Sequence, residues 1–210
     1  MKFHKVSKEI PRKTIYRLSQ YQRCLQHRRD KEMETVSSEA LAKAAGVKPT
    51  QLRKDLTHFG QLGTRGLGYN VDTLTSVLSN VLGAERLRPV ILVGVGNLGA
   101  ALTRYGGFEK EGFEIAAAFD ADPEQANHRN VPFTIRSSSE MVEFIKENDI
   151  KMAILAVPAR HAQVVANQLV KAGVQGILNF SPTLLETPDD VIVNSVDLAI
   201  ELENLSYFIK

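Results

Sequence analysis

The chain has 210 residues, a formal net charge of +2 and one cysteine, Cys24, so an internal disulfide framework is excluded and a reducing cytoplasm is favoured. The first residues contain no apolar stretch typical of a signal peptide. No segment approaches the roughly 18 consecutive apolar residues of a transmembrane helix, so we expect a cytoplasmic protein without a membrane partner.

Charge is distributed unevenly along the chain. Residues 1–80 carry 15 Lys and Arg against 7 Asp and Glu, a balance of +8, whereas residues 81–210 carry 11 against 17, a balance of −6. Such asymmetry is typical of a nucleic-acid-binding segment joined to a segment with another role. A solvated surface with uneven charge would give the same numbers, so charge alone leaves both interpretations open.

The first segment has the apolar spacing of α-helices. Between Thr14 and Arg29, apolar side chains recur at intervals of three and four, which predicts a basic amphipathic helix. A second, short helix is predicted over residues 38–45, with Ser37 as its N-cap.

A helix-turn-helix pattern continues from there. Pro49 suits the first position of a helix that runs to about Phe59, and the glycine-rich residues 60–69 predict a hairpin. Asn70 can cap a fourth helix over residues 71–82. This order of elements is the plan of a winged helix-turn-helix, whose helix after the turn enters the DNA major groove.

Seven polar residues on and around this recognition helix are candidate DNA contacts. Leu52 and Leu56 are expected to face inward, which leaves the polar side chains available. Arginine and glutamine read bases in the major groove, and lysine contacts phosphate. The candidates are Lys48, Thr50, Gln51, Arg53, Lys54, His58 and Arg65. A helical bundle with a solvated basic face would carry the same pattern, so this alternative stays open.

The pattern changes at residues 83–89, where short apolar runs begin to alternate with helical stretches. Such alternation implies an α/β fold with a parallel, doubly wound sheet. Strands are predicted at residues 89–96, 113–120, 150–158, 176–182 and 190–197. Helices are predicted at residues 98–106, 141–149 and 161–172, and after residue 197. We therefore expect a DNA-binding domain at 1–82, a Rossmann domain at 83–196 and a terminal helix at 197–210.

The strongest single motif is the glycine sequence GVGNLG, residues 94–99, which follows a buried strand and opens a helix. In a dinucleotide site the first glycine permits the tight turn, the second admits the pyrophosphate, and the third lets helix and strand pack closely. Asp120 ends the next strand, where a carboxylate binds the adenine ribose hydroxyls. That carboxylate repels a 2′-phosphate and no arginine follows immediately, so NAD(H) is favoured over NADP(H).

Two later strand ends should border the same site, because ligands of open α/β sheets lie at the carboxyl ends of the strands. The prolines at these ends are equally compatible with plain strand termination, and a glycine turn without a ligand is the alternative for the whole motif. The cofactor contacts predicted from the residues are Gly94, Val95, Gly96, Asn97, Leu98, Gly99, Asp120, Val157, Pro158 and Asn179.

Catalytic machinery is not evident in the sequence. The nucleotide fold uses nearly all of residues 83–210, which leaves no substrate domain, and His128 and His161 fit surface positions better than a catalytic base. No His/Cys cluster has metal-ligand spacing, so no metal is expected. Two alternatives stay open from the residues alone: a small NAD-dependent oxidoreductase with a basic accessory segment, and a DNA-binding module with a ligand-free Rossmann scaffold.

Several stretches of both segments carry a more specific signal. The most specific is RKDLTHFGQLGTRGLGY at residues 53–69. The others are YQRCL (21–25), VSSEALA (36–42), GVGNLGAAL (94–102), FD (119–120), VP (157–158), GILNFSP (176–182) and VD (196–197). Over nearly its whole length, the chain resembles the Rex family of redox-sensing transcriptional repressors of Gram-positive bacteria.

The resemblance implies a repressor and not an enzyme: a homodimer of winged-helix and Rossmann domains whose C-terminal helix is exchanged between protomers. It implies binding to palindromic operator DNA when NADH is scarce, release when NADH rises, competition by NAD⁺, and targets among fermentative and anaerobic-metabolism genes. It places Tyr105 near the nicotinamide ring, with Arg23 and Asp197 in a network with it, although Arg23 also fits a simple phosphate contact. Leu198 stands where some members carry an aromatic residue near the nicotinamide, so no such contact is expected there.

The last helix agrees with an exchange between protomers. Its apolar residues form a stripe that needs a partner surface. The stripe consists of Leu198, Leu202, Leu205 and Ile209. A helix that folds back onto its own domain is the alternative.

Overall fold

The computed structural model describes residues 10–64, 66–83 and 86–209. The chain divides into two compact units, Met1–Arg86 and Leu87–Lys210. The division falls within the segment 83–89, where the sequence pattern changes from purely helical spacing to alternating strands and helices.

Within its described residues, the first unit combines four helices with a small antiparallel sheet. Its helices are α1 (Arg12–Arg29), α2 (Ser38–Ala44), α3 (Pro49–Leu56) and α4 (Val71–Leu82), and a 3₁₀ turn at Thr57–Phe59 extends α3. Its strands are β1 (Thr35–Val36), β2 (Gly63–Thr64) and β3 (Gly68–Asn70). The sheet order is β1-β3-β2, so the glycine-rich hairpin is joined to the strand that precedes α2. This arrangement confirms the winged helix-turn-helix expectation.

Local signals set the starts of these helices. The side chain of Ser37 accepts a hydrogen bond from the Ala40 amide, and the side chain of Asn70 accepts one from the Thr73 amide. Pro49 occupies the first turn of α3, where its missing N–H costs nothing. The helices therefore begin where the sequence predicts, because each cap lies within three residues of its partner.

A buried polar network joins the recognition helix α3 to α1. Asp55 is 1% exposed, and its carboxylate accepts two hydrogen bonds from Arg17, at 2.6 and 2.7 Å. The Tyr21 hydroxyl and the Gln51 side-chain amide donate to it as well, each at 2.8 Å. Burial by itself would raise the pKa of Asp55, but the hydrogen bonds from Arg17, Tyr21 and Gln51 outweigh it and lower the pKa below its ordinary value.

The second unit is built on a six-stranded parallel sheet. Its strands are β4 (Arg88–Val93), β5 (Phe113–Asp120), β6 (Arg136–Ser137), β7 (Met152–Leu155), β8 (Gly176–Asn179) and β9 (Ile192–Ser195). Its helices are α5 (Asn97–Thr103), α6 (Gly107–Lys110), α7 (Pro123–Asn127), α8 (Met141–Glu147), α9 (Ala159–Ala172) and α10 (Leu198–Phe208). The strand order β6-β5-β4-β7-β8-β9 reverses direction between β4 and β7, as in a Rossmann fold.

Alternate residues of β4 enter two different apolar clusters. Ile91 and Val93 pack in one cluster, whereas Val90 and Leu92 pack in another. Both faces of the central strand are therefore covered, which explains why it reads as a continuous apolar run and not as an alternating one. The expected α/β class is confirmed, and α6, α7 and β6 are additions that the sequence did not predict.

Helix α10 differs from the other long helices because none of its residues is buried. The Asp197 carboxylate caps it, accepting hydrogen bonds from the amides of Ala199 and Ile200. Its large apolar side chains are more than half exposed, and they are Leu198, Ile200, Leu202, Leu205, Tyr207 and Phe208.

Replacing Asp55 with Ala should lower the free energy of unfolding of the first unit by about 3 kcal/mol, because Arg17 loses its buried carboxylate partner. Since the pKa of Asp55 is lowered, its contribution is present above the ordinary carboxyl pKa of about 4 and is lost as pH falls through the folded value. Hydrogen exchange of the α3 amides in the full chain measures both effects. Glu39→Gln, which breaks an exposed pair with Arg53, is the control and should leave exchange unchanged. Equal exchange in the two variants would contradict the prediction.

Candidate functional site

A cleft of about 590 Å³ opens at the carboxyl ends of β4, β5 and β7, where the strand order reverses. This volume lies within the range of small-molecule sites, about 300–1,000 Å³. The lining includes the glycine turn and the end of β5, and its other polar members come from α7, the loop after α7, the 3₁₀ turn after β6, and α9. These polar members are Gln125, Arg129, Ser138, His161 and Gln168.

The three glycines of the turn differ in why a side chain is absent. Gly94 has φ +92°, and a Cβ there would lie 2.6 Å from the Ala156 carbonyl oxygen. A Cβ on Gly99 would collide with the Gly94 carbonyl oxygen, whereas a Cβ on Gly96 would meet no atom within 4 Å. The first and third glycines are therefore required by the protein's own packing, and the second faces open space inside the cleft.

Asp120 braces the glycine turn. One carboxylate oxygen accepts a hydrogen bond from the Val95 amide at 2.6 Å, and the other accepts one from the Asp122 amide at 3.0 Å. Each oxygen keeps a further lone pair, so the same carboxylate can still accept from a ribose hydroxyl. The residue thus holds the turn and lines the cleft at the same time.

Most of the predicted cofactor contacts meet at this cleft. Eight of them line it: Gly94, Val95, Gly96, Asn97, Leu98, Asp120, Val157 and Pro158. Gly99 is buried directly behind the turn. The structure brings Tyr105 and Asn179 to other places.

The Asn179 side chain is fully buried and is used by the protein itself. Its amide donates to the Thr183 carbonyl at 2.9 Å and to the Ser195 hydroxyl at 3.3 Å, and its oxygen accepts from the Ser181 amide. Position at a strand end suggested a ligand contact, but the structure gives the side chain a role in the turn after β8. Tyr105 follows α5, where its ring is 58% exposed and packs edge-on against Phe108.

Arg129 is a cleft residue that the sequence did not indicate. Its guanidinium donates to the Asn97 side-chain oxygen at 2.6 Å, so it reaches the glycine turn from the loop after α7. The only signal in the sequence is an arginine nine residues after Asp120, and nothing local says that this loop folds back over the turn.

The described residues among the predicted DNA contacts lie on α3 and its flanks and are exposed, with one departure. Lys48, Thr50, Lys54 and His58 are exposed on α3 and its flanks. Arg53 is exposed and donates to the Ser38 hydroxyl at 2.8 Å, at the edge of a groove of about 650 Å³ between α3 and the β2–β3 hairpin.

The departure is Gln51, whose side-chain amide is turned inward to the buried Asp55 carboxylate. The sequence predicted a base contact there because the residue type fits adenine, whereas the structure pairs this amide with the Asp55 carboxylate one helical turn along α3. Arg65 lies outside the described residues.

The predicted coupling residues lie on different units. Arg23 is exposed on α1 of the first unit, while Tyr105 and the helix cap Asp197 belong to the second. Within the described ranges there is no cluster of three or more His, Cys, Asp and Glu side chains that could hold a metal ion. No described helix has both the length and the apolar character to cross a membrane.

Comparison with known proteins decides the family. Residues 85–183 match the family described as a CoA binding domain, and residues 9–57 match a putative DNA-binding protein N-terminus. The redox-sensing transcriptional repressor Rex of Syntrophobacter fumaroxidans is 44% identical, covering 100% of this chain and 99% of its own. That of Carboxydothermus hydrogenoformans is 46% identical, covering 96% and 97%. The chain belongs to the Rex family of redox-sensing transcriptional repressors.

Solved structures agree with this assignment. The Rex-family repressor RSP, in complex with β-NAD⁺ and operator DNA, superposes with a TM-score of 0.87 at 36% identity, covering 97% of this chain and 94% of RSP. RSP in complex with β-NADH gives 0.84 at 34% identity, covering 97% and 95%. The resemblance seen in the sequence is confirmed. Membership in a repressor family sets aside the oxidoreductase alternative.

Three glycine variants separate packing from ligand binding at the turn. Gly99→Ala should lower the free energy of unfolding by about 3 kcal/mol, and so the Tm by roughly 10 °C, because its Cβ collides with the Gly94 carbonyl. Gly96→Ala should keep the Tm but weaken NADH binding at least about tenfold, because its Cβ projects into open cleft space where the pyrophosphate passes close to the backbone. Thermal unfolding and NADH fluorescence titration measure these effects.

Gly106→Ala is the matched control, since Gly106 has a helical φ of −65° and open space around it. It should change neither the Tm nor NADH affinity. Unchanged NADH affinity in Gly96→Ala would show that no dinucleotide passes over this turn.

Proposed function

We propose that the chain is an NADH/NAD⁺-responsive transcriptional repressor of the bacterial cytoplasm. As a homodimer it binds palindromic operator DNA, and NADH binding to the Rossmann domain releases it, which regulates fermentative and anaerobic-metabolism genes. The observation that carries the proposal is the presence, in one chain, of an exposed basic recognition helix and a glycine-turn cleft at a sheet switch point.

The cleft supports a nicotinamide dinucleotide as the signal. Its open space over Gly96 fits a pyrophosphate, and the Asp120 carboxylate at the end of β5 suits a ribose with free hydroxyls. A ligand-free scaffold would have no use for the space over Gly96, and RSP has been solved with both NAD⁺ and NADH. NAD(H) is therefore the cofactor that we assign.

The first unit supports duplex DNA as the target. Lys48, Lys54 and His58 are exposed along α3, and Arg53 lies at the edge of the groove beside the hairpin. The Asp55 network holds α3 against α1, which keeps the orientation of these side chains constant. Lysine and arginine contacts to phosphate give such a surface its affinity and its salt dependence.

Helix α10 supports a homodimer. Leu202, Leu205 and Phe208 are 66%, 59% and 81% exposed within one chain. Burial of such side chains stabilises an interface by about 1.5–3 kcal/mol each, so a second copy of the chain is a favourable cover. We assign residues 197–210 as the exchanged segment, with DNA-binding and Rossmann domains at 1–82 and 83–196.

The function is tested by NADH-driven release from DNA. A palindromic duplex selected by the protein from a randomised library, with a fluorescent label, is titrated at one stated salt concentration. NADH should release the duplex, NAD⁺ should oppose NADH, and NADPH should act far more weakly because Asp120 repels its 2′-phosphate. Equal retention of the duplex with saturating NADH and without it would refute the proposed function.

Coupling between the sites is tested at Asp197. We propose that Arg23, Tyr105 and Asp197 form a network in which an Arg23–Asp197 pair exists in only one of the two states. Asp197→Asn removes the charge and keeps an N-cap, since asparagine caps helices as well as aspartate does. NADH affinity should stay nearly unchanged, while the NADH-induced loss of DNA affinity, typically about 5–150-fold in allosteric proteins, should shrink severalfold.

Glu203→Gln removes one negative charge from an exposed position of the same helix and is the control. It should release DNA as the unmodified protein does. If Asp197→Asn also releases DNA normally, the network is wrong although the repressor function stands.

A further inference from the structure

The loop that carries Arg129 is built to bring a positive charge to the glycine turn. Arg104, at the C-terminal end of α5, donates to the backbone carbonyls of Arg129 and Asn130, at 3.3 and 2.9 Å. Asn130 has φ +54°, a left-handed conformation that turns the chain at this point. Arg104 of α5 therefore holds this loop in place. Arg129 of the loop in turn contacts Asn97 at the start of α5.

The charges around the cleft leave Arg129 in a distinct position. Among the described lining residues it is the sole Arg or Lys, and Asp120 is the sole carboxylate. A dinucleotide pyrophosphate carries two negative charges, and the guanidinium is the permanent cation of this lining that can compensate them.

The two charged residues contact the glycine turn on either side of Gly96. Asp120 contacts the amides of Val95 and Asp122, at the end where a ribose is held. Arg129 contacts Asn97, the residue directly after Gly96, at the end where the pyrophosphate passes. The side chain is half-buried and donates to Asn97 through Nη1, so the planar fork has further N–H groups to offer phosphate oxygens.

We propose that Arg129 is a binding residue for the pyrophosphate of the dinucleotide, and that Arg104 is the residue that positions it. This inference rests on the proposed function, because it assigns a contact within the same cofactor site. The guanidinium supplies charge-assisted hydrogen bonds to phosphate, in addition to the neutral hydrogen bonds that the backbone amides of the glycine turn supply. Because its partner Asn97 directly follows Gly96, the proposal places the guanidinium at the pyrophosphate and not at the adenosine 2′-position.

The test measures the affinity of Arg129→Gln for three nucleotides by displacement of bound NADH. ADP carries the pyrophosphate, 2′-AMP carries a phosphate at the ribose end, and adenosine carries none. Arg129→Gln should bind ADP and NADH roughly tenfold more weakly and adenosine unchanged, and Arg129→Lys should recover part of the loss. Lys171→Gln, an exposed residue of α9 outside the cleft lining, is the charge-matched control and should alter none of these affinities.

Equal ADP affinity in Arg129→Gln and the unmodified protein would overturn the proposal, and so would an equal loss for adenosine, which indicates a disturbed fold. A larger loss for 2′-AMP than for ADP would overturn it too, by placing the guanidinium at the ribose end. If the unmodified protein binds no NADH, the proposed function is refuted together with this inference. If NADH releases DNA but Arg129→Gln binds ADP and NADH as tightly as the unmodified protein, only this inference is refuted.

Arg104→Gln tests the positioning role. It should weaken ADP binding in the otherwise unmodified chain but add no further loss to Arg129→Gln, because residues acting through one contact are not additive. Additive losses would show that Arg104 acts independently of Arg129 and would overturn its positioning role. Recovery of ADP affinity in Arg104→Lys would support that role, since a lysine can still donate to the two loop carbonyls.

Discussion

The close approach of Gly99 to the Gly94 carbonyl is the constraint on which the Rossmann unit depends. It lets α5 start directly above β4, and this leaves the cleft at the reversal of strand order open from the sheet outward. Asp120 ties the end of β5 to the same turn through the Val95 amide. The cleft is therefore preformed by backbone packing, so ligand binding carries no free-energy cost for shaping it.

The first unit depends on a different kind of interaction, a buried carboxylate shared by two helices. Asp55 collects donors from Arg17 and Tyr21 on α1 and from Gln51 on its own helix. Burial of the Tyr21 hydroxyl is the largest cause that raises the pKa of Tyr21, and its hydrogen bond to Asp55 raises the pKa further. This donor therefore keeps its proton throughout the physiological range. A buried charge is weak evidence for stability, but its fixed geometry sets how α3 is oriented.

Sequence reasoning worked where the signal was local. The caps Ser37 and Asn70 and the glycine turn lie within a few residues of the groups they affect, and their elements begin where predicted. It failed for β1 and β6, which have two residues each and thus no periodicity to read. The structure also gives the side chains of Asn179 and Gln51 partners within the protein that residue type alone does not reveal.

The sequence by itself determined the two-part architecture, the strand-and-helix order of the second part, the dinucleotide motif and the family, because periodicity, caps and short motifs are encoded in neighbouring residues. Only the tertiary structure decided that Arg129 meets Asn97 across 32 positions of sequence and that Asp55 is surrounded by donors from α1. Such contacts depend on how loops and helices fold back in space. The position of one side chain relative to another is set by many residues along the chain, so no local sequence pattern predicts it.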